Sequence, residues 1–492
     1  MSVNRLLRTA TQWRTVLTPT STVALIGAAG TAIVLALVVA ASHAGVPQEV
    51  ELPTWLGAWP TGSDYRPASG ALVLGVVAAL CVVWVHLVRT WLQGARVPRV
   101  RSILLVSLAW VAPFTLAGPI GSLDVQSYAA VGRLAQVGMD PYRYGPMWLH
   151  GPFAAAVSPE WSYTPSPYGP LQISLLREIA VAAGSHVGLA VLLIRAVAVV
   201  GLAAAVVLAM HAAPVRERAW VLLLVALNPV VLVHVVSGAH LDILVGALAI
   251  AVVLLVRKGH PNLAMLAAVA ACMIKLPGLF LVGYVGLDVL RRSDTSQLRT
   301  RLAQVLGVAA AVVMATVALV PDAFGWVRAL SVPGSIRSGL APSTWVSWLF
   351  EYGVGLNYAH ATTIARVLTA LAGGLLAARL LWHATEGPER SAYFGVGWGL
   401  LAIAFSGPTA YPWYLTWGLF VAAVGSRARG RVVLLAISVM YALLGAYGGG
   451  RIGVVAMLAC FAVAGLAMWR VARTLVAIER PATALAPATA AV

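Results

Sequence analysis

The chain has 492 residues, of which 60% are hydrophobic and only 10% are charged, and its mean hydropathy is +0.88. Soluble domains carry about 25% charged residues, so this composition excludes a water-soluble fold. The formal net charge of +17 falls in short basic clusters between apolar runs. Such clusters set the orientation of a membrane protein, so nucleic acid is not an expected partner.

Apolar runs long enough for membrane spans follow one another along most of the chain. Because a span needs about 20 mostly apolar residues, the runs predict an all-α polytopic membrane protein with about 12–14 transmembrane helices. The runs lie near 21–42, 69–90, 101–120, 187–211, 218–234, 240–256, 262–275, 277–290, 302–320, 362–382, 391–406, 411–425, 431–447 and 451–472. The first run lacks a small-residue cleavage site and is predicted to be a retained helix.

Basic residues in the connecting segments set the predicted orientation. With a cytoplasmic N-terminus, all the basic clusters fall in cytoplasmic segments, as the positive-inside rule requires. They include Arg5, Arg8, Arg14, Arg89, Arg96, Arg99, Arg216, Arg257, Arg291, Arg299, Arg427 and Arg470. We therefore predict a plasma (inner) membrane protein with both termini in the cytoplasm. Residues 1–20 form a cytoplasmic segment, 21–475 the transmembrane domain, and 476–492 a disordered tail.

Two predicted outer loops, near 121–185 and 321–361, are too long to be simple connectors. They are rich in Pro, Gly, Tyr and Trp, and the first contains an amphipathic stretch near Leu171–Ala183. This pattern predicts long outer loops with short interfacial helices. No internal repeat is visible, which weakens a transporter built from inverted halves.

Asp124 is the first candidate for chemistry, since it follows the third apolar run on the predicted outer side. A carboxylate at this boundary suits a general base, but it equally suits the N-cap of a predicted helix over Val125–Val137. Asp140 precedes Pro141, so it is either ordinary turn chemistry or a substrate contact. Tyr168, framed by Pro and Gly, either shapes its loop or presents a ring to a sugar.

Ionisable residues near the outer ends of apolar runs form the second group of candidates. His234, His240 and Asp242 are functional residues or parts of a hydrogen-bonded helix connection, and three metal ligands at suitable spacing are not evident. Lys275 lies at the midpoint of a hydrophobic hairpin, and Arg337 lies in the second long loop. Both cations suit a lipid phosphate, although Lys275 could instead extend to the surface.

Aromatic residues cluster where the chain enters the run near 411–425. Trp413, Tyr414 and Trp417 form an anchoring belt at the membrane surface or a contact for a carbohydrate or polyprenyl group. The sequence alone leaves both interpretations open.

Together, these stretches resemble the polyprenyl-phosphomannose-dependent α-(1→6)-mannopyranosyltransferases of mycobacteria and corynebacteria, which act in lipomannan and lipoarabinomannan biosynthesis. The matching pieces run in order through most of the chain. They are Asp124 to Tyr128, Asp140-Pro-Tyr142, Gly145-Pro146, Pro167-Tyr-Gly-Pro170, Leu227-Asn-Pro229, His234, Gly238, His240, Lys275, Pro342, Pro412-Trp-Tyr414 and Trp417. Where the family pattern has His-Asn followed by an acid, this chain has His240-Leu241-Asp242, which keeps the carboxylate.

The resemblance implies a GT-C glycosyltransferase fold with its active site under the outer loops, on the extracytoplasmic face. The implied donor is polyprenyl-phosphate-mannose, and the implied acceptor is a mannan or phosphatidylinositol mannoside. The family pattern assigns the catalytic carboxylate to Asp124. The positions of the two cations lead us to expect Lys275 and Arg337 at the donor phosphate. The expected substrate-binding residues are Tyr128, Asp140, Tyr142, Tyr168, His234, His240, Asp242, Trp413, Tyr414 and Trp417.

The implied reaction is a single displacement that inverts a β-linked donor to an α-(1→6) product. No Asp-x-Asp occurs at Asp124, and we expect neither a cofactor nor an obligatory divalent metal. Two rival interpretations stay open. One is a transporter or flippase of polyprenyl-linked sugars, and the other is a GT-C enzyme that uses a different lipid-linked sugar.

Overall fold

The structure, a computed structural model, describes residues 67–93, 99–116, 119, 122, 124–320 and 322–445. It also describes the isolated positions 27, 29, 30, 32, 33, 462, 465, 466 and 469. The predicted terminal segments 1–20 and 476–492 lie outside these residues, as do most of the predicted spans near 21–42 and 451–472.

Helices dominate the described part of the chain, where no β-strand occurs, and this confirms the predicted all-α fold. The α-helices with described bounds are α1 (Pro67–Gln93), α2 (Val100–Leu116), α3 (Asp124–Gln136), α4 (Pro152–Ala155), α5 (Pro159–Ser162), α6 (Pro170–Ala183), α7 (Val187–Ala212), α8 (Arg218–Val225), α9 (Asp242–Arg257), α10 (Pro261–Ile274), α11 (Leu279–Arg292), α12 (Thr295–Leu319), α13 (Gly325–Ala329), α14 (Ser331–Ser335), α15 (Pro342–Trp348), α16 (Tyr358–Glu386), α17 (Glu389–Ser406), α18 (Thr416–Gly425) and α19 (Ala428–Gly445). Segments of 3₁₀-helix lie at Pro146–Leu149, Val215–Glu217, Leu276–Gly278 and Pro412–Leu415, and π-helix lies at Val231–Ser237 and Leu349–Gly353.

Four of the described helices, α7, α12, α16 and α19, are long and apolar enough to cross a membrane. A fifth span results if the π-helix Val231–Ser237 and α9, which meet at a bend, are counted together as one span. Large apolar side chains such as Leu306, Met314 and Leu375 are exposed on α12 and α16, as expected for contact with lipid. The chain is therefore a polytopic membrane protein. The total of 12–14 spans stays a prediction.

Helix α9 lies at the centre of the bundle and packs against α7, α10, α17 and α18. Its approach to α18 depends on Gly246, since a Cβ atom there would lie 2.2 Å from the carbonyl oxygen of Thr416. Small residues of this kind allow close helix contacts in membranes, where packing rather than the hydrophobic effect drives association. The N-terminal end of α9 is thereby fixed beside the segment that leads into α18.

The apolar run near 218–234 is not the single helix that we predicted, because Asn228-Pro229 interrupts it. Proline cannot donate a backbone hydrogen bond, and Asn228 Oδ1 accepts one from the N–H of Val230 at 3.0 Å. The chain continues as the π-helix Val231–Ser237, and α9 follows at a bend of 110°. In the turn between them, Ala239 is buried with φ of 54°, a left-handed conformation that strains a residue with a Cβ. This turn directs His240 and Asp242 into the protein interior.

The first long loop folds largely as helices, of which α3 packs against α6. The predicted helix over Val125–Val137 is observed as Asp124–Gln136, and the stretch Leu171–Ala183 is observed as Pro170–Ala183. The second long loop contains α13, α14 and α15. Short helices in both loops are thus confirmed, while their position at the membrane interface stays a prediction.

Candidate active site

A cavity of about 290 Å³ lies between α3, the loop that precedes α6, the break between α10 and α11, and the segment that leads into α18. We call it the Asp124 cavity. Seven of the predicted site residues line it, namely Asp124, Tyr128, Tyr168, Lys275, Trp413, Tyr414 and Trp417. These residues come from segments up to about 290 positions apart in the sequence, and the fold brings them to one place.

Asp124 begins α3 and lines the cavity with a partly buried side chain. Its Oδ1 accepts a hydrogen bond of 3.0 Å from Trp161 Nε1. The hydroxyl of Ser122 accepts the backbone N–H of Asp124 at 3.2 Å and so satisfies one of the free donors at the start of the helix. The Asp124 carboxylate thus contacts the loop across the cavity. Both of its predicted roles, a base and a helix N-cap, stay predictions.

Burial raises the pKa of Asp124 to about 6, even though the hydrogen bonds with Ser122 and Trp161 and the charge of Lys275 act to lower it. A carboxyl group with this pKa is mostly ionised at neutral pH and is basic enough to accept a proton from a hydroxyl group in a transition state. A pKa in this range is compatible with the predicted role of Asp124 as a general base.

A row of rings connects the Asp124 helix with the turn before α9. The hydroxyl of Tyr128 lies 2.8 Å from His240 Nδ1, and the hydroxyl of Tyr168 lies 3.4 Å from that of Tyr128. His240 stacks on Trp413 with ring centroids 3.6 Å apart, and Trp413 stacks on Tyr411 at 4.7 Å. The sequence separates these residues widely, so only the fold shows that they form one continuous aromatic wall.

Lys275 supplies the positive charge of the cavity. Its Nζ forms an ion pair with Asp242 Oδ1 at 2.7 Å, and the Lys275 and Asp242 side chains are 13% and 3% exposed. Asp242 Oδ1 also accepts the indole N–H of Trp417 at 2.7 Å. The ammonium group lies 4.3 Å from the ring centre of Tyr414 and 5.3 Å from those of Tyr168 and Trp417. Rings at these distances attract a cation, so the ammonium group is held in place on several sides.

The backbone explains why Lys275 reaches this position. Helix α10 ends at Ile274, and Lys275 adopts an extended conformation (φ −157°, ψ 141°) before the 3₁₀ turn Leu276–Gly278. The N–H of Gly169 donates to the carbonyl oxygen of Ile274 at 2.9 Å, and a Cβ atom at Gly169 would lie 2.1 Å from the carbonyl oxygen of Met273. Only glycine permits this approach, which holds Tyr168 against Lys275.

His234 lies one layer deeper, fully buried in the π-helix and 5.6 Å from the ring centre of Trp413. Among the described residues, neither of its ring nitrogens has a hydrogen-bond partner. His234 supports the wall from behind and does not line the Asp124 cavity.

Arg195 is a residue that the sequence analysis missed. It is buried in α7, and its guanidinium donates to the carbonyl oxygens of Thr115 at 3.0 Å and Ser237 at 2.9 Å. These carbonyls end α2 and the π-helix, so a positive charge there is favourable for both helices. Arg195 thereby joins the segment before Asp124 to the turn before His240. An arginine within an apolar run was the signal that could have revealed it.

Like His234, the predicted site residues His240 and Asp242 do not line the Asp124 cavity but contact residues that do. Three further predicted site residues lie away from it. Arg337 forms a two-fold contact with Glu351, with both N–O distances at 2.9 Å, and its guanidinium lies 4.5 Å from the ring centre of Tyr358. Asp140 and Tyr142 line a separate cavity, and Asp140 Oδ1 accepts the backbone N–H of Tyr142 at 2.8 Å, as in the predicted turn. The substrate roles of these residues stay predictions.

Within the described residues, no three His, Cys, Asp or Glu side chains are grouped so that they could hold a metal ion. The expected independence of a metal stays a prediction. The fold and the cavity define a class: an all-α polytopic membrane protein with a carboxylate and an ammonium group in one aromatic-walled cavity.

Comparisons with known proteins identify the family. A profile described as the N-terminal domain of α-(1→6)-mannopyranosyltransferase matches residues 24–291, and a profile described as the MptB C-terminal domain matches residues 339–486. The chain belongs to the α-(1→6)-mannopyranosyltransferase family, which confirms the resemblance seen in the sequence.

Three curated relatives illustrate the match. α-(1→6)-Mannopyranosyltransferase A of Mycobacterium tuberculosis is 31% identical over 75% of this chain and 73% of its own length. A probable α-(1→6)-mannopyranosyltransferase of Mycolicibacterium smegmatis is 28% identical over 87% of this chain and 83% of its own length. α-(1→6)-Mannopyranosyltransferase B of Corynebacterium glutamicum is 29% identical over 63% of this chain, which spans 56% of that relative. No solved structure matches the chain.

Proposed function

We propose that this protein is a GT-C type mannosyltransferase that transfers mannose from polyprenyl-phosphate-mannose to a mannan or phosphatidylinositol mannoside. The new linkage is α-(1→6), formed with inversion. The observation that carries this proposal is that Asp124 and Lys275 line the same cavity. Their charges are close enough for Lys275 to lower the pKa of Asp124. Membership of the family and the printed names of its relatives support the choice of mannose.

In this mechanism, Asp124 accepts the proton of the acceptor hydroxyl while the oxygen attacks the anomeric carbon of the donor mannose. The bond from that carbon to the phosphate oxygen breaks as the new glycosidic bond forms, and positive charge develops on the sugar ring. The phosphate leaves with the bonding electron pair and gains negative charge. The aromatic residues Tyr128, Tyr168, Trp413 and Tyr414 line the cavity, and we assign the contacts with the sugar to them.

Lys275 stabilises the departing phosphate. An ammonium group has three N–H donors, and the bond to Asp242 uses one of them. Because Asp242 and the three surrounding rings already fix its position, little reorganisation is needed as charge develops on the phosphate. Asp242 therefore acts as a positioning residue for the cation.

The hydrocarbon tail of the donor needs an apolar path from this cation to the membrane. Leu276, Pro277, Leu330, Ile336 and Ile403 form an apolar part of the wall of the Asp124 cavity, and we assign this path to them. Leu276 and Pro277 follow Lys275 directly in the chain. A phosphate at Lys275 thus has apolar surface beside it for the first units of a polyprenyl chain.

The proposal is tested with purified protein in detergent or lipid nanodiscs. Radiolabelled mannose, glucose and arabinose, each on the same polyprenyl phosphate, are supplied with an α-(1→6)-dimannoside acceptor, and the product linkage is determined by NMR. We expect transfer of mannose alone and an α-(1→6) product. Transfer of another sugar in preference to mannose, or a β-linked product, would contradict the proposal.

A further inference from the structure

A second, larger cavity of about 1,220 Å³ lies beside the Asp124 cavity, at the same end of α10 as Lys275. It is formed by the C-terminal end of α3, the following loop, α6, and the last turns of α10 and α12. The contact between Gly169 and Ile274 lies between the two cavities, since Tyr168 lines one of them and Leu171 the other. We call this second cavity the α12 cavity.

The wall of the α12 cavity has two chemically distinct parts. The inner part is apolar and includes Ala270, Met273, Val312, Ala315 and Leu319. Residues Val312 to Leu319 cover about 10 Å along the helix axis at 1.5 Å per residue, which is about a third of the hydrocarbon core of a bilayer. Helix α12 also has apolar side chains exposed on its other faces, so this part of the cavity is continuous with a lipid-facing surface.

The rim of the α12 cavity is polar and carries charges of both signs. It includes Asp140, Glu178 and Asp322 with Arg143 and Arg177. Asp140 pairs with Arg143 at 3.3 Å, and Asp322 pairs with Arg328. Glu178 likewise pairs with Arg177, so each carboxylate of the rim has a guanidinium partner and no surplus positive charge is left for a bare phosphate. Paired carboxylates and guanidinium groups instead offer hydrogen-bond acceptors and donors to a headgroup that is rich in hydroxyl groups.

We infer that the α12 cavity binds the lipid-anchored end of the glycolipid acceptor, with its acyl chains against α12 and its proximal sugars at the rim. This inference rests on the proposed function and extends it to the second substrate. The proposed path of the donor tail lies along the apolar wall of the Asp124 cavity, so the α12 cavity is left for a different lipid. The adjacent position allows the acceptor sugars to extend past Tyr168 towards Asp124.

The test uses Ala315→Trp, because Ala315 is exposed on α12 and lines the cavity, so a larger side chain fills the cavity without disturbing a packed core. The matched control is Ala318→Trp, which makes the same change at an exposed position of the same helix outside the cavity lining. The acceptor probes are an α-(1→6)-dimannoside on a diacyl anchor and the same dimannoside without the anchor. The readout is the ratio of their kcat/KM values.

We expect Ala315→Trp to lower this ratio by about tenfold, since displacing two methylene groups from an apolar wall is enough for such a change. Ala318→Trp should keep the wild-type ratio. An unchanged ratio in Ala315→Trp would overturn the inference, as would a rise confined to the KM of the donor, which would assign the cavity to the donor tail.

Binding is measured separately by native mass spectrometry of the purified protein with the same two probes. We expect the wild type to retain the anchored probe in preference to the free one, and Ala315→Trp to lose that preference. This readout does not require transfer. Absence of mannose transfer with preserved binding of the anchored probe would therefore overturn the proposed function alone, and equal binding by the two proteins would overturn the acceptor site alone.

Discussion

Lys275 and Asp242 form a buried ion pair that joins the break between α10 and α11 to the first residue of the central helix α9. The N–O distance is 2.7 Å, and Trp417 donates to the same carboxylate oxygen at 2.7 Å. Loss of one member of a buried pair leaves an uncompensated charge, which costs about 3–5 kcal/mol. The pair therefore has a structural role that can be separated from the proposed role of Lys275 towards the donor phosphate.

A double-mutant cycle at this pair separates the two roles. Lys275→Gln and Asp242→Asn should each lower the Tm of the purified protein, and the double variant should recover much of that loss because no single charge is left buried. Mannose transfer should stay low in the double variant, since the ammonium group is absent. Recovery of transfer together with the Tm would contradict the role of Lys275 in stabilising the phosphate.

Trp161 tunes Asp124, and its replacement should shift the pH dependence of transfer. The proposed role of Asp124 as a base predicts that kcat/KM of the wild type rises with pH through about 6, where the carboxyl group loses its proton. The Trp161 hydrogen bond lowers the pKa of Asp124. In Trp161→Phe this pKa should therefore rise, and the rising limb of the profile of kcat/KM against pH should move to higher pH. A matched control is Trp148→Phe, an exposed tryptophan of the same loop that should leave the limb unchanged. If the pH profiles of Trp161→Phe and the wild type were identical, the Trp161 hydrogen bond would have no effect on the pKa of Asp124.

The ring of Tyr414, 4.3 Å from the Lys275 ammonium, should matter more than its hydroxyl group. Loss of a cation–π contact in a partly desolvated site costs roughly 1–2 kcal/mol, so Tyr414→Leu should raise the KM for the donor by about tenfold. Tyr414→Phe keeps the ring and should stay within about threefold of the wild type. The comparison is made by steady-state kinetics at saturating acceptor. A rise in donor KM in the phenylalanine variant as large as in the leucine variant would assign the role to the hydroxyl.

Arg337 was predicted to contact the donor phosphate, but Glu351 holds its guanidinium with both N–O distances at 2.9 Å. Arg337→Gln should therefore lower the Tm of the protein. It should raise the KM for the donor by less than Lys275→Gln does. The double variant Arg337→Gln, Glu351→Gln should regain part of the Tm, because it removes both charges of a pair whose side chains are 15% and 11% exposed. An equally large rise in donor KM at an unchanged Tm would instead support the predicted phosphate contact.

Much of the fold and half of the site could be predicted from the sequence, because apolar runs and costly ionisable residues are local signals. The runs gave the all-α membrane class, and Lys275 stood out because a charge inside a hydrophobic hairpin needs a partner. The identity of that partner is not local. Asp242 is 33 positions away, and a 110° bend brings it to Lys275.

The interruption of the run near 218–234 was missed because apolar residues lie on both sides of a single Asn-Pro pair, and that pair alone ends the helix. The split of the predicted substrate residues between two cavities was also beyond the sequence. Asp140 and Asp124 lie in the same long loop of the sequence, but helix α3 separates them. Asp124 begins this helix and Asp140 follows its C-terminal end, so the two residues line different cavities. Arg195 was hidden for a similar reason, since its partners are backbone carbonyls that leave no mark in the sequence.

The most direct test of the account is the rate of mannose transfer by Asp124→Asn, measured with polyprenyl-phosphate-mannose and an α-(1→6)-dimannoside. Asparagine keeps the size of the side chain and an oxygen that can accept the Trp161 bond, but it cannot take a proton. Glu160→Gln, a change of an exposed acid in the same loop, is the matched control. We predict that Asp124→Asn lowers kcat by a factor of 10² or more, on the order expected for a general base, with a wild-type Tm and no rising pH limb near 6. Transfer at the wild-type rate by well-folded Asp124→Asn would contradict the account and leave Asp124 as a structural residue at the start of α3.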